Sequence, residues 1–153
     1  MTVIWKKFLV NIGINALCAV SGLRTGEMTR VPEMFELQNN VIDEGLAVTK
    51  ARSIPLDESI RDEIIKAAHY RFNKPSMLQH VSVGKKTEID AINVALIREA
   101  KKLGIPTPYN EALVALLKGR ELSQMRAIHE PELDYDAWEA DIQKEGIPPR
   151  TSS

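Results

Sequence analysis

At 153 residues, 44% hydrophobic and 27% charged, the chain has the size and balance of one domain with a single core. A net charge of −1 supplies no polybasic surface, so neither nucleic-acid binding nor disorder is suggested. The single cysteine, Cys18, excludes an intramolecular disulfide framework, and a reducing, cytoplasmic setting is the simplest expectation.

Charge is unevenly spread. Residues 127–153 carry two Lys/Arg against seven Asp/Glu, which leaves residues 1–126 with 18 against 14. The expected organisation is therefore a helical domain over 1–126 and an acidic tail over 127–153 with one short helix.

The N-terminal segment pairs Lys6 and Lys7 with an apolar run from Phe8 to Val20. Asn11 and Asn15 interrupt that run, and no leader cleavage pattern follows it. The expected element is a buried helix from about Val3 to Ser21, stopped by Gly22, rather than a signal or a membrane span. Leu23 to Arg30 reads as a loop. Pro32 then opens a helix whose Met34, Leu37, Val41, Ile42, Leu46 and Val48 recur at steps of three and four, ending before Pro55. Asp57 or Ser59 can cap a third helix carrying Ile60, Ile64, Ile65 and Ala68 to about Phe72.

Asn73 to Lys86, containing Pro75 and Gly84, has no sustained helical period and reads as a connection. Thr87 is a suitable cap for a helix from Glu88 to Leu103, and Gly104 with Pro106 and Pro108 ends it. Tyr109 to about Met125 resumes the period through Leu113, Leu116 and Leu117. A short helix fits Tyr135 to Lys144, and Pro148 to Ser153 should fray. The fold class expected is all-α: one bundle of about five main helices, with no strand and no internal repeat.

Lys7, Asn11 and Asn15 lie four apart, so a helix places them on one polar stripe. Buried amides need partners, since an unmet polar group costs roughly 1–3 kcal/mol; loop backbone, water and a ligand are all open as partners. Ser76, with Asn73 before it, lies in the connection, and Thr87, Glu88 and Asp90 enter the fourth helix, where acids also suit the helix dipole. His69, His80 and His129 are too scattered for a metal site, and no nucleophile triad can be drawn. No glycine fingerprint of the GxGxxG kind occurs, so the usual dinucleotide cradle is absent from these residues.

In order along the chain, WKKFLVNIGINAL (Trp5–Leu17), Gly26 with Glu27, SMLQ (Ser76–Gln79), GKKTEIDAIN (Gly84–Asn93) and LGIPTPYNEAL (Leu103–Leu113) resemble the C-terminal domain of ketopantoate reductases. The resemblance spans about residues 4–119. It implies the helical fold of the C-terminal domain of 6-phosphogluconate-dehydrogenase-like reductases. It also implies an NADPH-dependent reduction of 2-dehydropantoate, or a related 2-keto acid, to the 2-hydroxy acid in pantothenate and coenzyme A biosynthesis.

By the family pattern Lys7 is the general acid that protonates the keto oxygen, preferred over Lys6 because it shares the asparagine face. Asn11 and Asn15 hold substrate against it. Ser76 contacts the substrate carboxylate, Glu88 the hydroxyl end, and Asn73 is a further substrate contact. Two departures stand out. His80 occupies a position that is commonly acidic in the family, and the family's NADP-binding domain is not in this sequence. The expectation is a half-enzyme inactive alone, binding NADP(H) only through a Rossmann domain supplied in cis or in trans. The other implied partners are the small 2-keto acid and a second copy in a homodimer, with no nucleic acid and no membrane. The alternative is a noncatalytic helical module derived from this family and used for dimerisation or partner binding.

Overall fold

The computed structural model describes residues 1–151, and among them the chain is all helix and turn, with no strand. Eight α-helices occur in the order α1 (Thr2–Ser21), α2 (Thr25–Met28), α3 (Pro32–Ala51), α4 (Ile60–His69), α5 (Ser76–Ser82), α6 (Ala95–Lys102), α7 (Pro108–His129) and α8 (Tyr135–Ile142). A π-helical turn, Asp90–Val94, leads directly into α6.

The first helix is the axis of the bundle, packed by α2, α3, α4, α5, α7 and the π-turn. Leu9, Ile12, Ala16, Leu17, Cys18 and Ala19 on it are fully or almost fully buried. By length and hydropathy alone α1 is apolar enough to cross a bilayer. Its burial among five other helices accounts for that apolarity as core packing. Gly22 closes it in the left-handed conformation, φ 76°, and its N–H donates to the Cys18 carbonyl at 2.9 Å. Two glycines let α1 and α3 approach closely. A Cβ on Gly13 would lie 2.8 Å from Ile42 Cγ1, and one on Gly45 would lie 2.7 Å from Leu9 Cδ2.

The main helices fall where the apolar spacing predicts them, and α7 continues one turn past Met125, to His129. Three local expectations need correction. The segment 23–30 is not all loop, because Thr25–Met28 forms one turn whose first N–H, that of Arg24, donates to Glu27 Oε2 at 2.9 Å. The third predicted helix stops at His69 rather than Phe72. The Arg71 and Phe72 carbonyls are claimed instead by Thr25 Oγ1 and Arg24, which pulls the chain toward α2. The 73–86 connection contains α5, whose Met77, Leu78 and Val81 are buried.

Buried polar groups tie α3, the π-turn and α7 together. Glu44, on the core side of α3, accepts from the N–H groups of Tyr109 and Asn110 at 2.8 and 2.9 Å and from Asn110 Nδ2 at 2.6 Å. It thus caps α7 from a neighbouring helix, a carboxylate at the positive end of the helix dipole. Asn110 Nδ2 also reaches the Val41 carbonyl at 3.3 Å, and its Oδ1 accepts from Asn93 in the π-turn at 2.9 Å.

Candidate active site

The polar stripe on α1 forms as its spacing requires, and it faces outward from the core. Lys7 is exposed, and Asn11 and Asn15 are half-buried. Among the described residues, no hydrogen bond or ion pair engages any of these three side chains, whereas Lys6 next door is ion-paired with Glu63 on α4. That bond to Lys6 is the main reason the Glu63 carboxyl sits below its ordinary range. The two adjacent lysines therefore differ in kind: Lys6 braces α1 against α4, and Lys7 is uncommitted.

Asn15 and Asn73 line one cleft of about 420 Å³, together with Thr25, Arg71 and an apolar wall that includes Val10 and Ile14 of α1. Positions 7, 11, 14 and 15 share a face by helical phase, so the cleft lies along the same side of α1 as Lys7 and Asn11. Asn73 is held there by its backbone. Its N–H donates to Thr25 Oγ1 at 3.1 Å, and its carbonyl accepts from the Thr25 N–H at 3.2 Å. Gly26 permits this docking, because a Cβ there would lie 2.6 Å from the Arg71 carbonyl. The motif glycine and its neighbour Glu27 thus build the cleft wall, one by its absent side chain and the other by capping α2.

Ser76 and Glu88 meet. Ser76, the first residue of α5 rather than a loop residue, donates from Oγ to Glu88 Oε2 at 3.2 Å. His80, one turn along α5, places Nδ1 3.5 Å from Glu88 Oε1, and that nitrogen is buried with no hydrogen-bond partner. The Ser–Glu–His order leaves the serine bonded to a carboxylate rather than to an imidazole, which is not the arrangement of an activated nucleophile. Thr87 supports the entry to the π-turn, donating from its N–H to Glu121 Oε1 at 2.9 Å. The structure thus brings together Asn15 with Asn73, and Ser76 with Glu88. It joins neither pair to Lys7 by a direct bond.

Arg71 escaped sequence reasoning. It borders the cleft beside Asn73 and, among the described residues, forms no ion pair. Its only signal was a basic residue two positions before Asn73. Cys18 lies fully buried on the core side of α1, its thiol pKa pushed up to about 12 by burial and secondarily by Glu27, so it is a packing residue. For a dinucleotide the residues do not fit: without a strand feeding a glycine turn and a helix, the described residues offer no pyrophosphate cradle.

An all-α domain of this arrangement superposes on part of the chain in two groups of solved reductases. A ketopantoate reductase from Ralstonia eutropha JMP134 superposes with a TM-score of 0.74 at 31% identity, covering 78% of this chain and 41% of that one. D-mandelate dehydrogenase, solved with NADH and anilino(oxo)acetate, superposes with a TM-score of 0.70 at 29% identity, covering 80% of this chain and 41% of that one. The sequence profile of the ketopantoate reductase PanE/ApbA C terminal matches residues 1–121, and the chain belongs to this family. Among curated relatives, the 2-dehydropantoate 2-reductase of Archaeoglobus fulgidus is 34% identical over 119 residues, covering 77% of this chain and 40% of the relative. That of Aquifex aeolicus is 35% identical over 130 residues, covering 78% and 40%. The chain thus spans about 40% of the length of the curated relatives it matches.

Proposed function

We propose that this chain is the substrate-binding and proton-donating half of an NADPH-dependent reductase that converts 2-dehydropantoate, or a related 2-keto acid, to the 2-hydroxy acid. The observation that carries the reading is the α1 face, where among the described residues Lys7, Asn11 and Asn15 have no protein partner and Asn15 lines a cleft of about 420 Å³. Polar groups a fold leaves unused at a concave surface are available to a ligand.

In this reading the nicotinamide, held by a nucleotide-binding domain outside these residues, supplies the hydride. The chain's own groups do the rest. Lys7 stabilises the negative charge that develops on the keto oxygen and delivers the proton to it. Asn11 and Asn15 orient the substrate against that ammonium. Ser76 and Arg71 offer a hydroxyl and a cation for the carboxylate, Glu88 accepts from the hydroxyl at the far end, and Asn73 closes the cleft. The kinship with D-mandelate dehydrogenase supports a 2-keto acid of either aliphatic or aromatic character. A cytoplasmic biosynthetic setting, a helical body over 1–126 and a tail over 127–153 belong to the same proposal.

The test is reconstitution. A nucleotide-binding domain from a related reductase, fused ahead of this chain, should confer ketopantoate-dependent NADPH oxidation. Lys7→Ala in that fusion should lower kcat by roughly 10²- to 10⁴-fold. An active fusion indifferent to this substitution removes Lys7 from the chemistry. A fusion that folds, binds NADPH and reduces no 2-keto acid favours instead a noncatalytic module, a reading to which the exposed Val3 and Ile4 at the start of α1 lend an apolar contact surface.

A further inference from the structure

A serine hydroxyl has one proton to give, and Ser76 has already committed its own. Its Oγ donates to Glu88 Oε2 at 3.2 Å, so any further partner meets only its lone pairs. An ionised carboxylate also offers nothing but lone pairs. Ser76 therefore serves the carboxylate of a 2-keto acid, as the reductase reading requires, only if Glu88 lets go of it. Glu88 then needs another donor, because hydrogen bonds to an ionised group are the ones most costly to lose.

That donor stands one turn along the same helix. His80 follows Ser76 by four residues on α5, so the two side chains share a face. Its Nδ1 lies 3.5 Å from Glu88 Oε1, the oxygen that Ser76 leaves alone, and is buried with no hydrogen-bond partner. A buried ring nitrogen without a partner is uncommon in a folded chain, and the Glu88 carboxylate is the acceptor it faces. The backbone on both sides is fixed. Met77, Leu78 and Val81 anchor α5 in the core, and the Glu88 carbonyl accepts from the Ala91 and Ile92 N–H groups at 3.0 and 3.1 Å. Thr87, the residue before Glu88, is held by Glu121. The half-exposed Glu88 side chain is the part left to turn between the two donors.

We propose that His80 is a positioning residue that takes over Glu88 when substrate arrives. The carboxylate turns from Ser76 to the Nδ1–H of His80, and the serine hydroxyl swings its released proton to the substrate carboxylate. One hydrogen bond is given up and two are made, and no proton leaves its atom. An ionised Asp or Glu at position 80 could not play this part, having no proton to donate. The inference rests on the reductase reading for its substrate, and on the geometry of α5 for the contact between His80 and Glu88.

Two measurements test it, one of them independent of activity. Imidazole nitrogen NMR on the full chain, assigned against His80→Asn, shows which ring nitrogen of neutral His80 carries the proton. It should be Nδ1, and the preference should vanish in Glu88→Ala. A proton held on Nε2 in the unsubstituted chain would overturn the proposal, since Nδ1 would then have nothing to donate. In the fusion with a nucleotide-binding domain, His80→Ala should raise KM for the 2-keto acid roughly tenfold or more and leave kcat within about twofold. His80→Asn, which keeps an N–H donor near the place of Nδ1, should recover most of the loss. In a Ser76→Ala background His80→Ala should cost nothing further, because the hydroxyl it acts through is gone. The loss should also appear with the same 2-keto acid lacking its hydroxyl. A fall in kcat at unchanged KM, losses at 76 and 80 that simply add, or a loss confined to the hydroxylated substrate would each overturn the proposal. A fusion that reduces no 2-keto acid counts against the reductase reading instead, and the ring tautomer, read on the chain itself, still decides whether His80 can hold Glu88.

Discussion

Two polar regions of this bundle are built on opposite rules. Around Glu44 the groups consume one another: a buried carboxylate accepts three hydrogen bonds, and Asn110 passes the chain of contacts to Asn93. Along α1 the reverse holds, and Lys7, Asn11 and Asn15 make no bond to protein among the described residues. Both sets contain amides on helices, so residue type does not separate a group that braces the fold from one the fold leaves without a partner. What separates them is whether the fold has already supplied the partner.

That contrast can be broken experimentally. Glu44→Ala should show the largest effect, because it strands the Tyr109 and Asn110 N–H groups in the interior. The loss of unfolding free energy should be roughly 2–4 kcal/mol, read by urea denaturation. A loss below about 0.5 kcal/mol would mean that water replaces the carboxylate, and that the interior set is no more structural than the exposed one. Asn11→Ala and Asn15→Ala should each change stability by no more than about 0.5 kcal/mol, since neither amide holds the fold together. If either destabilises as much as Glu44→Ala, the α1 stripe is part of the framework and its availability to a ligand is lost as an argument.

The smallest effect belongs to a third kind of polar contact, the exposed Asp90–Lys118 pair. The bond from Lys118 holds the Asp90 carboxyl below its ordinary range, and the same bond raises Lys118. The Asp90 contribution is therefore present above the ordinary carboxylate pKa and lost as pH falls through its lowered folded value. The Lys118 contribution is present below the ordinary lysine pKa and lost as pH rises through its raised one. The thermal midpoint of Asp90→Asn should lie slightly below that of the parent near neutrality, and the two should converge in strong acid. A gap that persists there would assign the difference to something other than charge.

The long helices were legible because their apolar residues recur in phase over several turns, as in Val41, Ile42 and Val48. α5 was hidden because it lasts seven residues between Pro75 and Gly84, too short for a period to show. α2 exists only through contacts with residues 71–73, which no local pattern announces. For the candidate site the α1 spacing and the order of the motifs supplied the candidates, yet the meeting of Ser76 with Glu88 depends on how α5 lies beside the π-turn. Glu44 did leave a signal, since it falls in the apolar phase of Val41 and Val48. A charge at a core position asks for a partner, and Asn110, in phase with Leu113 and Leu117, was that partner. The π-turn left none.

The glycine contacts between α1 and α3 carry a consequence for orientation. Gly13 lies between Asn11 and Asn15 in sequence, and no atom beyond its own backbone separates α1 from Ile42 at that point. The helix is thereby clamped in rotation as well as in distance. A single methyl group at position 13 would press on Ile42 Cγ1 at 2.8 Å and Ile64 Cγ2 at 3.0 Å, so that either those side chains repack or the helix shifts and carries both amides with it, chemically intact. In this bundle the aim of the polar stripe is set from behind, by the side chain that is not there.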